Sequence, residues 1–338
     1  MKTIKIPEPG KVELTDTPMP VPVEGEVLLK IDYVGFCGSD LTTYLGKNPL
    51  VSYPRIPGHE VAATIVEKGS GVPAGYEKGD KVSIVPYTNC GKCASCRRGR
   101  FNACEFNQTM GVQRDGAMRE FVTVPYEKIL KVPQLSPQEA ALIEPLTVGF
   151  HAVERADVTE DDVVMVLGCG MIGAGAIAGS VLRNAKVIAV DIDDFKIETA
   201  LEVGADHVIN SAKNNLHEEL QRILDGNAPD VVIEAAGSPA TYRAGAEEVA
   251  FAGRMVCIGY AKDDVTFATK LWVQKELDIR GSRNATSKDF SDVITMLESG
   301  TFPSSKVITK IVSPEQVPDA FREWADAPGK VYKIMVKF

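Results

Sequence analysis

Two groups of sulfur, nitrogen and oxygen side chains stand out for the chemistry their spacing permits. Cys90, Cys93, Cys96 and Cys104 form a Cys-x-x-Cys-x-x-Cys pattern, with the fourth cysteine a short stretch further on. Four thiolates can close a tetrahedron about 2.3 Å from a zinc ion and leave no coordination position open, which marks a structural site. Arg97, Arg98 and Arg100 lie beside them and raise the alternative of a nucleic-acid zinc module. No recognition helix or aromatic context accompanies them. Two disulfides are the other alternative, disfavoured in a reducing compartment. The second group is Cys37, in Gly35-Phe36-Cys37-Gly38-Ser39-Asp40, together with His59 and Glu60, in Gly58-His59-Glu60. A thiolate, an imidazole and a carboxylate supply three ligands and leave a fourth position for water or a substrate oxygen, as a Lewis-acid site requires. Taken singly, Cys37 reads as a small buried hydrophobe and His59 as a hydrogen-bonded core or surface residue.

A third feature points to a dinucleotide. The apolar run Val164-Met165-Val166-Leu167 passes into Gly168-Cys169-Gly170-Met171-Ile172-Gly173 and then a helix of small residues. These glycines allow a tight turn, close approach of backbone to a pyrophosphate and close helix packing, while the helix N-terminus offers free N–H groups to phosphate. The next apolar run ends at Asp191, about twenty residues beyond Gly170, where a carboxylate accepts the ribose hydroxyls of NAD and repels the 2′-phosphate of NADP. Asp193 and Asp194 add to that repulsion. Lys196 could lie along the adenosine or be a solvated lysine at a helix start.

These residues need elements to hold them. Up to about residue 149 the chain reads as short β-branched runs, such as Glu26 to Ile31 and Asp80 to Val85, punctuated by Gly and Pro, which predicts a β-rich unit. Residues 150–280 alternate apolar strands with helical stretches, the signature of βαβ units and a parallel sheet. Strands are expected at Val163 to Leu167, Val187 to Val190, His207 to Ile209, Val231 to Ile233, Met255 to Ile258 and Leu277 to Arg280. Residues 281–338 hold one amphipathic stretch, Phe290 to Leu297, and a closing strand, Val331 to Val336. That tail is too short for a core of its own, so it is expected to complete the first unit, with residues 150–280 inserted as a nucleotide-binding domain. The predicted fold class is α/β, a doubly wound parallel sheet inserted in a β-rich domain.

A length of 338 residues fits two domains. No apolar run is long enough to span a bilayer, and the N-terminus lacks the apolar core of a secretory signal, so a cytoplasmic protein is expected. A net charge of -9 argues against a nucleic-acid partner.

Together these residues resemble the zinc-containing medium-chain dehydrogenase/reductase family over the whole chain. The landmarks are Cys37-Gly38-Ser39-Asp40, Gly58-His59-Glu60, the four cysteines, Glu144-Pro145-Leu146 and Gly168 to Gly173. The resemblance implies a GroES-like catalytic domain carrying a nucleotide-binding Rossmann domain, two zinc ions per chain (one catalytic, one structural), NAD, and a homodimer or homotetramer. Glu144-Pro145 is similar to the sorbitol and polyol branch, where that glutamate stands in place of a cysteine ligand. Gly281-Ser282-Arg283-Asn284-Ala285-Thr286 is similar to members acting on sugar acids such as L-galactonate. By the same resemblance Ser39 takes the proton of a zinc-acidified alcohol, Asp40 orients His59, and hydride passes from carbinol carbon to nicotinamide. Arg283 faces the substrate, pairing with Glu144 or a substrate carboxylate. Many relatives carry a histidine, a proton carrier, where this chain has Thr42.

The two carboxylates raise a charge question. Cys37 thiolate and Glu60 already neutralise a divalent ion, so a directly bound Glu144 would leave an anionic site that acidifies an alcohol poorly. Glu60 is therefore expected as the ligand, with Glu144 reaching the metal through water or exchanging with it. The expected function is oxidation of a secondary hydroxyl of a polyol or sugar acid. Oxidation of a threonine-type amino alcohol shares the zinc and NAD landmarks, and a non-catalytic nucleotide-binding regulator shares the fold.

Overall fold

The computed structural model describes residues 1–338 and every side chain except that of Lys330. The chain divides into two compact units: Met1–Glu144 with Ile294–Gly300 and Ser304–Phe338, and Pro145–Val293 with Thr301–Pro303. The divides fall inside two helices, Pro137–Arg155 and Ser287–Glu298, rather than at 149/150 and 280/281. The first of these divides lies at Pro145, which has no N–H to donate within its helix.

The first unit is built of β1 (Lys2–Glu8), β2 (Lys11–Asp16), β3 (Glu26–Gly35), β4 (Glu60–Lys68), β5 (Lys81–Ile84), β6 (Phe121–Pro125) and β7 (Ile129–Lys131). The second contributes β8 (Val163–Leu167), β9 (Lys186–Asp191), β10 (His207–Asn210), β11 (Val231–Glu234), β12 (Arg254–Cys257) and β13 (Asp278–Gly281). The chain then returns to the first unit with β14 (Ile308–Val312) and β15 (Lys333–Lys337). The strands β1 and β2 form a hairpin, and the large sheet of the first unit runs β14-β15-β3-β4-β5-β7, with β6 also paired to β3. The expected closing strand is thus present and lies against β3, antiparallel, with Met335 opposite Gly35. Ile4, Leu29, Ile31, Val34, Phe36 and Ile65 are fully buried in one cluster. The helix Val317–Asp326 lays Val317, Ala320, Phe321 and Trp324 on that cluster, the stripe expected of an amphipathic helix. Val317 and Phe321 each contribute about 1.5–3 kcal/mol on burial. Phe36 stacks on Phe321 at 4.6 Å between ring centroids, which anchors the backbone immediately before Cys37.

The second unit is a six-stranded sheet in the order β10-β9-β8-β11-β12-β13, parallel throughout. This is the doubly wound order, in which the strand order reverses beside β8 and opens a crevice at the carboxyl ends of β8 and β11. All six strands expected from the sequence are present, shifted by a residue or so at their ends. The helices Pro137–Arg155 and Met171–Val181 cross with their backbones in contact: a Cβ at Gly149 would lie 2.3 Å from the Ala176 amide nitrogen, and one at Gly175 would lie 2.5 Å from the Leu146 carbonyl oxygen. Among the described residues no helix is long and apolar enough to cross a membrane.

Candidate metal centre and nucleotide site

Turns and one short helix bring the four cysteines together. Cys93 precedes the short helix Ala94–Arg97, Cys96 lies within it, and Cys104 follows the 3-10 turn Phe101–Ala103. All four sulfurs lie within 4.8 Å of one another, with Cys93 Sγ 3.4 Å from Cys96 Sγ and 3.8 Å from Cys104 Sγ. A zinc tetrahedron with 2.3 Å bonds has edges of about 3.8 Å, so the donor set fits that ion closely. Backbone N–H groups of Cys90 and Cys93 donate to Cys104 Sγ and Cys90 Sγ, each at 3.3 Å, and such bonds favour the thiolate form. All seven cysteines of the chain are free thiols.

The second donor set lies at the end of β3. Cys37, His59 and Glu60 place one sulfur, one ring nitrogen and one carboxylate oxygen within 4.8 Å of one another. Gly35 makes this possible, because a Cβ there would lie 2.0 Å from Glu60 Oε2. Cys37 caps the helix Gly38–Tyr44, and Asp40 in its first turn is 1% exposed. Asp40 Oδ2 accepts from the Cys37 amide at 2.9 Å and Oδ1 from the Gly58 amide at 3.3 Å. Asp40 thus ties together the two backbone segments that carry Cys37 and His59. Both Asp40 oxygens thus accept from backbone amides, and His59 Nδ1 is buried without a hydrogen-bond partner. Burial lowers the His59 pKa, but the neighbouring Cys37 sulfur, Glu144 and Asp40 outweigh it and hold the ring well above its ordinary value. An imidazole surrounded by so many anionic groups, one nitrogen unpaired, fits a site for a cation.

Ser39 Oγ is likewise buried without a partner. The Thr42 hydroxyl turns back onto the Ser39 carbonyl oxygen at 3.0 Å, which that carbonyl shares with Thr43 Oγ1 at 2.7 Å. Glu144, the last residue of the first unit, is 4% exposed and accepts a short hydrogen bond from the Tyr87 hydroxyl. Burial first, and the Glu144 carboxylate second, hold the Tyr87 hydroxyl well above its ordinary pKa. Tyr87 therefore remains a donor to that carboxylate.

Sequence reasoning missed Tyr87 and, more consequentially, Lys333. The Lys333 ammonium donates to Glu60 Oε1 at 2.7 Å, Glu60 Oε2 at 2.6 Å and the Phe36 carbonyl oxygen at 2.9 Å. Burial raises the Glu60 carboxyl from its ordinary value, and Lys333 opposes that rise. Burial outweighs that opposition and leaves the carboxyl raised to about 7, with Lys333 lying against both of its oxygens. This corrects the charge count made from sequence. With Lys333 included, Cys37, Glu60 and Glu144 together carry a net charge that matches one divalent ion, so charge no longer argues against Glu144 as a direct ligand. A signal was available: β15 buries Lys333, Ile334, Met335 and Val336, and a lysine in a strand covered on both faces must have a partner.

In the second unit β8 runs directly into Gly168, whose φ of +96° only glycine adopts without strain. A Cβ at Gly173 would lie 1.9 Å from the Gly168 carbonyl oxygen, whereas one at Gly170 would meet nothing within 4 Å. The turn is therefore closed on its packing side and open at the N-terminus of the helix that Met171 and Ile172 begin, as a pyrophosphate needs. Asp191 ends β9, with Oδ2 accepting from the Cys169 amide at 2.7 Å and Oδ1 from the amides of Ile192 and Asp193 at 2.8 and 3.0 Å. Asp193 caps the following helix through the Lys196 amide, and Asp194 pairs with Lys213. Arg283 is half-buried in the segment after β13.

Residues 23–134 match the alcohol dehydrogenase GroES-like domain, and residues 172–299 match the zinc-binding dehydrogenase domain. The chain is 32% identical to L-galactonate-5-dehydrogenase of Escherichia coli, over 91% of each chain. It is 30% identical to sorbitol dehydrogenase of Bacillus subtilis, over 99% of this chain and 97% of that one. An E. coli alcohol dehydrogenase, RspB, crystallised with NADH, superposes with a TM-score of 0.92 at 32% identity, covering 100% of this chain and 99% of the other.

Proposed function

The chain belongs to the zinc-containing medium-chain dehydrogenase family, in its polyol and sugar-acid branch, and from that premise we propose that it oxidises a secondary hydroxyl of a polyol or sugar acid with NAD. The observation that carries this reading is the open donor set of Cys37, His59 and Glu60, distinct from the closed four-sulfur set. Bound zinc would supply an electrophile that acidifies the substrate hydroxyl. Cys37 and His59 would hold it, with Glu60 or Glu144 as the carboxylate. A second ion would be held by Cys90, Cys93, Cys96 and Cys104. Ser39 Oγ, which has no protein partner, would take the hydroxyl proton, and bound NAD would supply the acceptor for the carbinol hydride. Net, one alcohol and one NAD⁺ give one carbonyl compound, one NADH and one proton. The Thr42 hydroxyl is engaged with the helix backbone, so the proton leaves through water or the cofactor ribose.

Gly168, Gly170, Met171, Ile172 and Gly173 receive the pyrophosphate, and Asp191 the adenosine ribose, its carboxylate disfavouring a 2′-phosphate. Lys196 would lie along the adenosine, and Arg283 would pair with Glu144 or with a substrate carboxylate. The unpaired edge of β13 supports assembly into a dimer or tetramer. A reducing cytoplasm keeps the thiolates available to zinc. The test is NADH formation with hexonates, hexitols and threonine, before and after chelation. Turnover of a hexonate or hexitol, abolished on zinc removal and restored by zinc, is expected. Preference for threonine would move the enzyme to amino alcohol oxidation, and turnover that survives complete loss of metal would overturn the reading.

A further inference from the structure

Lys333 is 3% exposed and Glu60 1% exposed, so their pairing is isolated from solvent. An ammonium has three N–H donors, and here all three are used, two on the Glu60 carboxylate and one on the carbonyl oxygen of Phe36, the residue before Cys37. Lys333 reaches this position through strand pairing, since the Phe36 amide donates to the Ile334 carbonyl at 2.9 Å and seats β15 beside the end of β3. Burying a lysine and a glutamate together stabilises a fold little, because desolvation offsets the attraction. The pair sits instead where it touches the metal donors from both sides, through the Glu60 side chain and through the backbone leading to Cys37.

We propose that Lys333 is a positioning residue that holds Glu60 partly away from the catalytic zinc, keeping the metal electrophilic and leaving a coordination position free for the substrate oxygen. This inference rests on the catalytic zinc of the preceding reading. Each carboxylate oxygen that accepts from Lys333 has a weakened hold on a cation, and the ammonium offsets one of the three negative charges brought by Cys37, Glu60 and Glu144. Without that ammonium Glu60 is an unpaired buried carboxylate whose best available partner is the metal. It then binds zinc fully, fills the open position and makes the site anionic.

The experiment measures zinc release from the full-length holoenzyme to a chromogenic chelator, alongside kcat and KM. Lys333→Met and Lys333→Gln both remove the charge, and the glutamine amide can still donate to the Phe36 carbonyl, which preserves the fold if the methionine variant loses it. Either is expected to release the catalytic zinc ten- to a hundredfold more slowly than the parent, with a kcat at least tenfold lower and a KM changed less than threefold. Lys333→Arg restores both to within a few fold of the parent, and Glu60→Gln combined with Lys333→Gln returns zinc release to near the parental rate. A merely structural lysine would loosen the site, so release at the parental rate or faster from Lys333→Gln overturns the proposal. Slow release that persists in the double variant also overturns it. If the parent itself binds only the four-cysteine zinc, the functional reading fails before the role of Lys333 is reached.

Discussion

Replacing Asp191 with alanine separates two tasks of one carboxylate, one observed and one proposed. Asp191 accepts three backbone amides, those of Cys169, Ile192 and Asp193, at 2.7 to 3.0 Å. Its proposed second task is to accept a ribose hydroxyl of NAD and repel the 2′-phosphate of NADP. Loss of the amide bonds loosens the glycine turn and weakens binding of both cofactors by a common factor. Loss of the ribose contact weakens NADH alone, and a hydrogen bond to a charged group contributes about 1.5–3 kcal/mol. That corresponds to roughly a 10- to 150-fold change in affinity. The ratio of the NADPH to the NADH dissociation constant cancels the common factor, so it should fall by at least tenfold in Asp191→Ala. Asp193 and Asp194 should leave a residual preference for NADH. Fluorescence titration of both nucleotides against parent and variant provides the ratio. Equal affinity of the parent for the two nucleotides, or a ratio unchanged in the variant, would refute the reasoning.

Cys104→Ser should lower the zinc content from two ions per chain to one by elemental analysis and depress the melting temperature in calorimetry, because Cys104 is fully buried within the four-sulfur set. Asp289 offers a pH test: burial pushes its carboxyl up, but hydrogen bonds from His151 and Thr286 outweigh burial and hold it below its ordinary value. A depressed carboxyl contributes stability that is present above the unfolded value of about 3.9 and is lost as the pH falls through the lower folded value. Denaturant titrations below about pH 4 should therefore show a shallower loss of stability for Asp289→Asn than for the parent, and identical slopes would count against the pairing.

The parts of the molecule that were legible in the sequence are those in which chemistry is local. The Gly168 to Gly173 turn sits between an apolar strand and a small-residue helix, and the four cysteines fall within one short lobe, so spacing alone specified both. Cys37 and His59 with Glu60 were legible because each lies in a glycine-flanked turn at the end of a strand. Glu144 was visible only through family resemblance, since a glutamate before a proline within a helix carries no signal of its own. Lys333 was hidden for a different reason. Its partner lies near the other end of the chain, joined through the pairing of β15 with β3, and no local pattern encodes which strands become neighbours. The bonds from Asp40 to the Cys37 and Gly58 amides were not legible, because residue type alone does not reveal that both its oxygens are committed to backbone.

The pairing of β15 with β3 also bears on how the protein is made. During synthesis, β3, which leads to Cys37, emerges long before β15. The nucleotide-binding sheet, nearly one uninterrupted stretch, can therefore form while the ends of the first unit are still apart. Until β15 arrives, Glu60 lacks the Lys333 ammonium and β3 lacks one of its strand partners. The surroundings of Cys37 and Glu60 are thereby completed only after the strands of the second unit have been made, and removing β15 would leave that sheet its own strands while stripping Glu60 of Lys333.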